Sequence, residues 1–206
     1  MDKKLLAFCL GDGCITNRRV LHLRHCSQQK EYLEWKHSEL SKIIKCSEIK
    51  DGKQNGYLYS AFYTSEAKDQ KVKLEEIYNK LYQHKGYKYF SKEIVDNMDA
   101  YCFAILYMDD GSLTAKKRNG VVTCYDLVIS VYGEQEECQN LIDKLATLDM
   151  KFTLRKNKGK YSIRCGTRAA RKFIDYIKPL IPEFECFKES KFKPLTVNSA
   201  FIRTLF

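Results

Sequence analysis

The alternation of apolar and polar positions along the chain repeats one series of elements twice. Residues 5–10 (LLAFCL) and 103–108 (FAILYM) are apolar on every side, the pattern of a short helix buried all round. After the first run, strand patterns cover 14–19 and 20–26. Leu33, His37, Leu40 and Ile44 then recur at helical spacing and predict a helix over 28–44. Strand patterns at 46–51 and 57–64 flank Asp51-Gly52 and Asn55-Gly56, which are turn dipeptides. A helix over 66–82 carries Leu74, Ile77, Tyr78 and Leu81 on one stripe. After the second run, strands are expected near 113–118 and 122–132, and a helix over 134–148 with Leu141, Leu145 and Leu148. Strands at 151–157 and 160–165 join through Lys158-Gly159, and a helix over 168–178 carries Ala170, Phe173, Ile174 and Ile177. Each half reads α-β-β-α-β-β-α, an α+β class, followed by a basic, partly irregular tail. No linker rich in Gly, Ser or Pro separates the halves, 1–98 and 99–206.

Both apolar runs end in an acid, then Gly, a small residue and an aliphatic one: GDGCI at 11–15 and DDGSL at 109–113. Asp12 and Asp110 stand 98 positions apart, so the match falls at half the chain. Self-similarity at that offset points to duplicated units. Gly13 and Gly111 sit where a helix C-terminus takes a left-handed residue. Asp12 and Asp110 then fall in the last turn, where the helix dipole is negative and an acid is unfavourable. If the two buried helices pack together, with Ala7 and Gly11 allowing close approach, the carboxylates also converge and repel. A divalent cation between them removes both costs, and hard oxygen ligands suit Mg²⁺. The plainer reading, an ordinary Asp-Gly turn after a core helix, has to hold twice.

Charge narrows the partner. The 206 residues carry 36 Lys+Arg and 26 Asp+Glu, net +10, with 44% hydrophobic residues. The chain is therefore globular, with a surface suited to a polyanion. Residues 1–98 and 99–206 each hold 18 basic and 13 acidic residues, so the charge is not a fused tail. No apolar run approaches the ~20 residues of a membrane helix, and the start, MDKKLLAFCLGDG, does not read as a signal peptide. Nine cysteines, an odd number, fit reduced thiols in an intracellular, reducing compartment. No Cys-x-x-Cys pair suggests zinc, no Gly-Lys-Ser/Thr makes a phosphate loop, and no Ser-His-Asp or Cys-His arrangement is evident.

The segments LLAFCLGDG at 5–13 and FAILYMDDG at 103–111 resemble the LAGLIDADG motif of homing endonucleases, in the two-motif, monomeric form. The element order extends the resemblance over nearly the whole chain. It implies two pseudo-symmetric halves packed through the motif helices, each with an antiparallel sheet lying in the DNA major groove. It implies an endonuclease that hydrolyses one phosphodiester per strand of a long, quasi-palindromic double-stranded target, with Mg²⁺ or Mn²⁺, leaving 3′ overhangs. By motif position the metal ligands are Asp12 and Asp110, with the carbonyls of Gly11 and Asp109 as further oxygens. Ala7 and Ile105 stand where the name-giving pattern has Gly. The family also includes cleavage-deficient members that act as RNA-splicing maturases, with intron RNA as partner, or as DNA-binding regulators.

The resemblance further places a lysine near each scissile phosphate, late in each half. Ser91-Lys92 and Ser190-Lys191 lie at matching distances from Asp12 and Asp110, which selects Lys92 and Lys191, with Lys193 as a neighbour. A cation there stabilises developing negative charge. Gln28, Gln29 and Gln135, at helix starts, are candidates for orienting water. For DNA contact, Lys151, Thr153 and Arg155 alternate with Phe152 and Leu154, and Lys160, Ser162 and Arg164 with Tyr161 and Ile163. A period of two puts the cations on one strand face, and Arg or Lys on a ribbon can pair with guanine edges. Arg18, Arg19, His22 and Arg24 form a similar set in the first half, and Lys116 and Arg118 extend that of the second.

Overall fold

The computed structural model describes residues 1–83, 87–157, 159–188, 190–192 and 195. The chain divides into two compact units, Met1–Asp109 and Asp110–Phe206. The second motif helix therefore belongs, all but its last residue, to the first unit, and the division falls at its end rather than near residue 98. Among the described residues no helix is long and apolar enough to cross a membrane.

In the first unit, α1 (Lys3–Leu10) starts at Asp2, whose carboxylate accepts from the Leu5 amide at 3.0 Å, and buries Leu5 through Leu10. Then follow β1 (Cys14–Ile15), β2 (Leu21–Cys26), α2 (Lys30–Ser41), β3 (Lys50–Gln54), β4 (Tyr57–Tyr63), α3 (Lys68–Leu81), α4 (Lys92–Asp96) and α5 (Ala100–Asp110). The four strands form an antiparallel sheet in the order β1-β2-β4-β3. The strand expected over 14–19 stops at Ile15. Thr16 closes a turn onto Val20 at 2.9 Å, and Arg19 takes φ 61°. Apolar residues on all sides of α5 are explained by its surroundings. Tyr101 meets Phe8 edge-on at 6.0 Å and lies beside Trp35, and the Cys102 thiol donates to the Lys3 carbonyl at 3.4 Å.

The second unit contains β5 (Gly111–Arg118), β6 (Val121–Gly133), α6 (Gln135–Ala146), β7 (Thr153–Asn157), β8 (Lys160–Gly166) and α7 (Thr167–Ile177). Its antiparallel sheet has the matching order β5-β6-β8-β7. Each unit closes a hairpin with Asn-Gly. Asn55 and Gly56 take φ 51° and 85°, Asn119 and Gly120 take 51° and 79°, as a turn with two left-handed residues requires. A reciprocal cap between Glu134 and Glu137 starts α6, and Phe173 of α7 packs edge-on against Phe152 at 5.6 Å.

The left-handed conformation expected at Gly13 and Gly111 is not adopted. Positive-φ glycines among the described residues are Gly56, Gly120 and Gly159. Space explains Gly13 instead, since a Cβ there would come within 1.9 Å of the Phe8 carbonyl oxygen.

Candidate active site

Within the first unit, the first motif's acid stands just past the end of α1. Its carboxylate is accessible, with 41% of the Asp12 side chain exposed. The Asp12 backbone N–H donates to Asp109 Oδ2 at 2.8 Å. Asp109 Oδ1 accepts from the Tyr32 hydroxyl at 2.9 Å and from Lys36 Nζ at 2.5 Å. The side chains of Lys36 and Asp109 are both fully buried. Burial pushes the Asp109 pKa up. The Lys36 and His25 charges, with hydrogen bonds from Lys36 and the Asp12 amide, outweigh it and hold the carboxyl below its ordinary value. Burial, then the Asp109 charge, raise the Tyr32 hydroxyl far above its usual range, so it remains a donor. His25, 4% exposed, turns inward from β2. Its Nε2 meets Lys36 Nζ at 3.1 Å, and its Nδ1 faces Gln29 Oε1 at 3.1 Å and Asp12 Oδ2 at 3.4 Å.

Asp12, His25 and Asp109 each bring a ligand atom within 4.8 Å of the others. As a three-ligand metal site this set is poor. Both Asp109 oxygens already accept hydrogen bonds, one of them from a buried ammonium, whereas a hard cation needs open oxygens. The Asp12 side chain is the more accessible of the two acids, 41% exposed. Its donor chemistry fits Mg²⁺ or Mn²⁺, and Asp110, half-buried at the head of the second unit, offers the same group. The Gly11 carbonyl, expected as a further ligand, accepts from Lys88 Nζ, which also reaches the Leu10 carbonyl at 3.2 Å.

The lysines fall differently in the two units. Lys191 is buried to 6% and donates to the Gly111 carbonyl at 2.7 Å, next to Asp110. Lys92 instead begins α4 with its side chain 79% exposed, paired to Asp96 at 2.8 Å. Lys88 is the residue that reaches the first motif's backbone. Lys193 lies outside the described residues.

On the first unit's sheet, Arg24 points outward. It donates to Gln54 Oε1 at 2.6 Å and lies over the Tyr59 ring at 4.9 Å. His22 stacks on Tyr63 with 4.5 Å between centroids. Arg18 and Arg19 are in the turn, not on a strand. Arg19 pairs with Glu75 at 2.6 Å and covers the Tyr78 ring, while Arg18 is 80% exposed near Glu66. In the second unit Thr153 pairs with Arg164, and Arg155 with Ser162, across β7–β8, placing these four on one face. Arg155 and Arg164 are exposed, as are Lys151 and Thr153. Ser162 is 6% exposed and donates to the Arg155 carbonyl. Lys160 is held by Glu134, Lys116 lies 3.8 Å from Asp126, and Arg118 stands exposed at the hairpin end of β5.

Sequence reasoning missed Lys36 and the outward residues Gln54, Tyr57 and Tyr59. The last three follow the same alternation around an Asn-Gly turn and were legible. Lys36 had a signal too, a charge three residues after Leu33 and four before Leu40 on an apolar stripe.

Two antiparallel four-stranded sheets of matching strand order, and two buried helices that each end at a motif aspartate, define a duplicated α+β fold. The LAGLIDADG DNA endonuclease family model matches residues 6–173, and the chain belongs to that family. Protein RecA of Mycobacterium gastri is 23% identical over 202 residues, covering 89% of this chain and 45% of that protein. Protein RecA of Mycobacterium shimoidei is 24% identical over 198 residues, covering 88% and 44%. The chain thus spans less than half the length of these curated relatives. The fold is similar to that of the homing endonuclease I-WcaI bound to its DNA recognition sequence, with TM-score 0.72 and 20% identity over 95% of this chain and 85% of that one. It is also similar to the N-terminal LAGLIDADG domain of DUF199/WhiA, with TM-score 0.51 and 16% identity over 89% and 82%.

Proposed function

We propose that the chain is a site-specific endonuclease that hydrolyses one phosphodiester on each strand of double-stranded DNA with Mg²⁺ or Mn²⁺, leaving 3′ overhangs. The observation that carries this reading is a lysine held on a glycine carbonyl next to the motif aspartate, found once in each unit. Lys88 sits on the Gly11 carbonyl beside Asp12, and Lys191 on the Gly111 carbonyl beside Asp110. Bound divalent metal polarises a phosphate and lowers the pKa of its water. Asp12 and Asp110 are the proposed ligands. Lys88 and Lys191, held by backbone carbonyls, stand ready to stabilise the negative charge that grows on each scissile phosphate. Lys92 has no part in this reading, because it is exposed and paired to Asp96.

The sheets supply the DNA surface. Arg24, tethered by Gln54 and Tyr59, and the Thr153, Arg155 and Arg164 face are proposed to enter the major groove, where arginine reads guanine. Two motif copies on one chain support a monomer on a long, quasi-palindromic target, and the similarity to a DNA-bound homing endonuclease supports the substrate.

The test is incubation with a randomised double-stranded target library in Mg²⁺ and in EDTA, followed by sequencing of the ends. The expected result is cutting in Mg²⁺ alone, at one family of sites, with 3′ overhangs. Tight binding without cutting in Mg²⁺ or Mn²⁺ would replace this reading with a binding-only regulator or an RNA-splicing maturase.

A further inference from the structure

Lys36 is a fully buried lysine in the apolar stripe of α2, and such a charge needs a compensating partner. Its partner, Asp109, is equally anomalous. Asp109 holds the place in the second motif that Gly11 holds in the first. The two positions meet: a Cβ on Gly11 would lie 2.1 Å from Asp109 Oδ2. Counted from each helix start, Lys36 corresponds to Leu141 of α6, also fully buried. Both departures from the repeat therefore occur together, and they bond to each other.

The contacts close a ring. The Asp12 amide donates to Asp109, Asp109 accepts from Lys36, Lys36 meets His25 Nε2, and His25 Nδ1 faces the Asp12 carboxylate. Tyr32 adds a third donor to Asp109. The ring holds Asp12 at both backbone and side chain while 41% of that side chain stays exposed. In the second unit, α6 presents Leu141 where α2 has Lys36, and Glu137, where α2 has Tyr32, is turned back to cap its own helix.

We propose that Asp109 and Lys36 are positioning residues that fix the metal-binding carboxylate of Asp12, a brace that the first unit has and the second replaces with apolar packing. The proposal rests on Asp12 being a metal ligand. Its role is that of outer contacts that orient a metal ligand, whose loss weakens metal binding more than folding.

The decisive variant is the double substitution Lys36→Leu with Asp109→Gly, which installs the pairing of Leu141 and Gly11. It removes both buried charges together and strands neither. Three quantities are read. DNA affinity in EDTA is expected to stay within about twofold of the parent, since both side chains are fully buried. Hydrogen exchange at the Asp12 amide, in the metal-free protein, is expected to speed up about tenfold or more once its acceptor is gone. Half-saturating Mn²⁺, followed by electron paramagnetic resonance on the DNA complex, is expected to rise about tenfold, with cleavage recovering at high Mn²⁺. Tyr32→Phe, which removes one donor to Asp109, is the second variant. It should move Mn²⁺ affinity the same way by a smaller factor, and it decides alone if the double variant does not fold. Parental Mn²⁺ affinity in the folded variants would overturn the proposal and leave the pair as core filling. A parent protein whose Mn²⁺ binding is unaffected by Asp12→Asn would instead overturn the metal assignment itself. The Asp12 amide would still report whether the brace exists.

Discussion

Asp12 lies just past α1 and Asp110 is the last residue of α5, each close in sequence to a glycine carbonyl that accepts from a lysine. Asp12→Asn and Asp110→Asn keep size and remove charge. Each is expected to slow single-turnover cleavage by about a hundredfold or more, with circular dichroism and DNA binding in EDTA unchanged. Lys88→Met is expected to slow cutting of one strand and Lys191→Met the other, so nicked DNA accumulates ahead of linear product on a substrate labelled on both strands. Lys92→Met should leave rate and melting temperature at parental values, because an exposed i,i+4 pair contributes little. Equal strand rates with Lys88→Met would remove that lysine from the phosphate. The aspartates were legible from the repeated motif alone. Lys88 was harder to single out, for a physical reason: it lies 76 residues after Asp12 whereas Lys191 lies 81 after Asp110, so counting by a constant offset lands next to Lys92.

At the scale of elements, periodicity located the motif helices, the longer helices after them and most strands, because a buried face forces a regular spacing; the strand expected at 46–51 runs Lys50–Gln54 instead, with Asp51-Gly52 inside it rather than in a turn. It failed where the backbone is set by local contacts. The strand at 14–19 ended early because Arg19 takes a left-handed conformation held by Glu75 and Tyr78, a long-range arrangement with no local signature. The short helix α4 escaped notice because five residues give too little pattern. The hairpins carry a sharper expectation. Gly56→Ala and Gly120→Ala place a Cβ at φ 85° and 79°, in open space but in a conformation L-residues resist, so each should cost about 1 kcal/mol in denaturant unfolding. Gly166→Ala, with nothing near its Cβ and φ −84°, is the neutral control.

For the molecule as a whole, a net charge of +10 divided evenly between the halves predicts salt-sensitive DNA binding spread over the entire protein. Losing a phosphate-contacting lysine such as Lys151 should weaken all sequences alike and lower the slope of log affinity against log salt by about one. Arg164→Ala should instead relax one base position by ~1–3 kcal/mol, read from a target-preference profile. A profile identical to the parent's would exclude Arg164 from base reading. The repeat announced two units, but not that α5 packs with the first. That assignment depends on Tyr101, Cys102 and Asp109, whose partners are tens of residues distant.

The crowding between Gly11 and Asp109 makes the two motif copies genetically non-interchangeable. Gene conversion of the second copy by the first would strand Lys36 without its counter-ion. Conversion of the first by the second would press an aspartate against Asp109 in a space that lacks room for a methyl group. In a saturation library, Gly11→Ala should therefore survive selection for cleavage only in clones that already carry Gly at 109, and those clones should prefer an apolar residue at 36. Tolerance of Gly11→Ala in the parental background would show that the space is softer than its geometry.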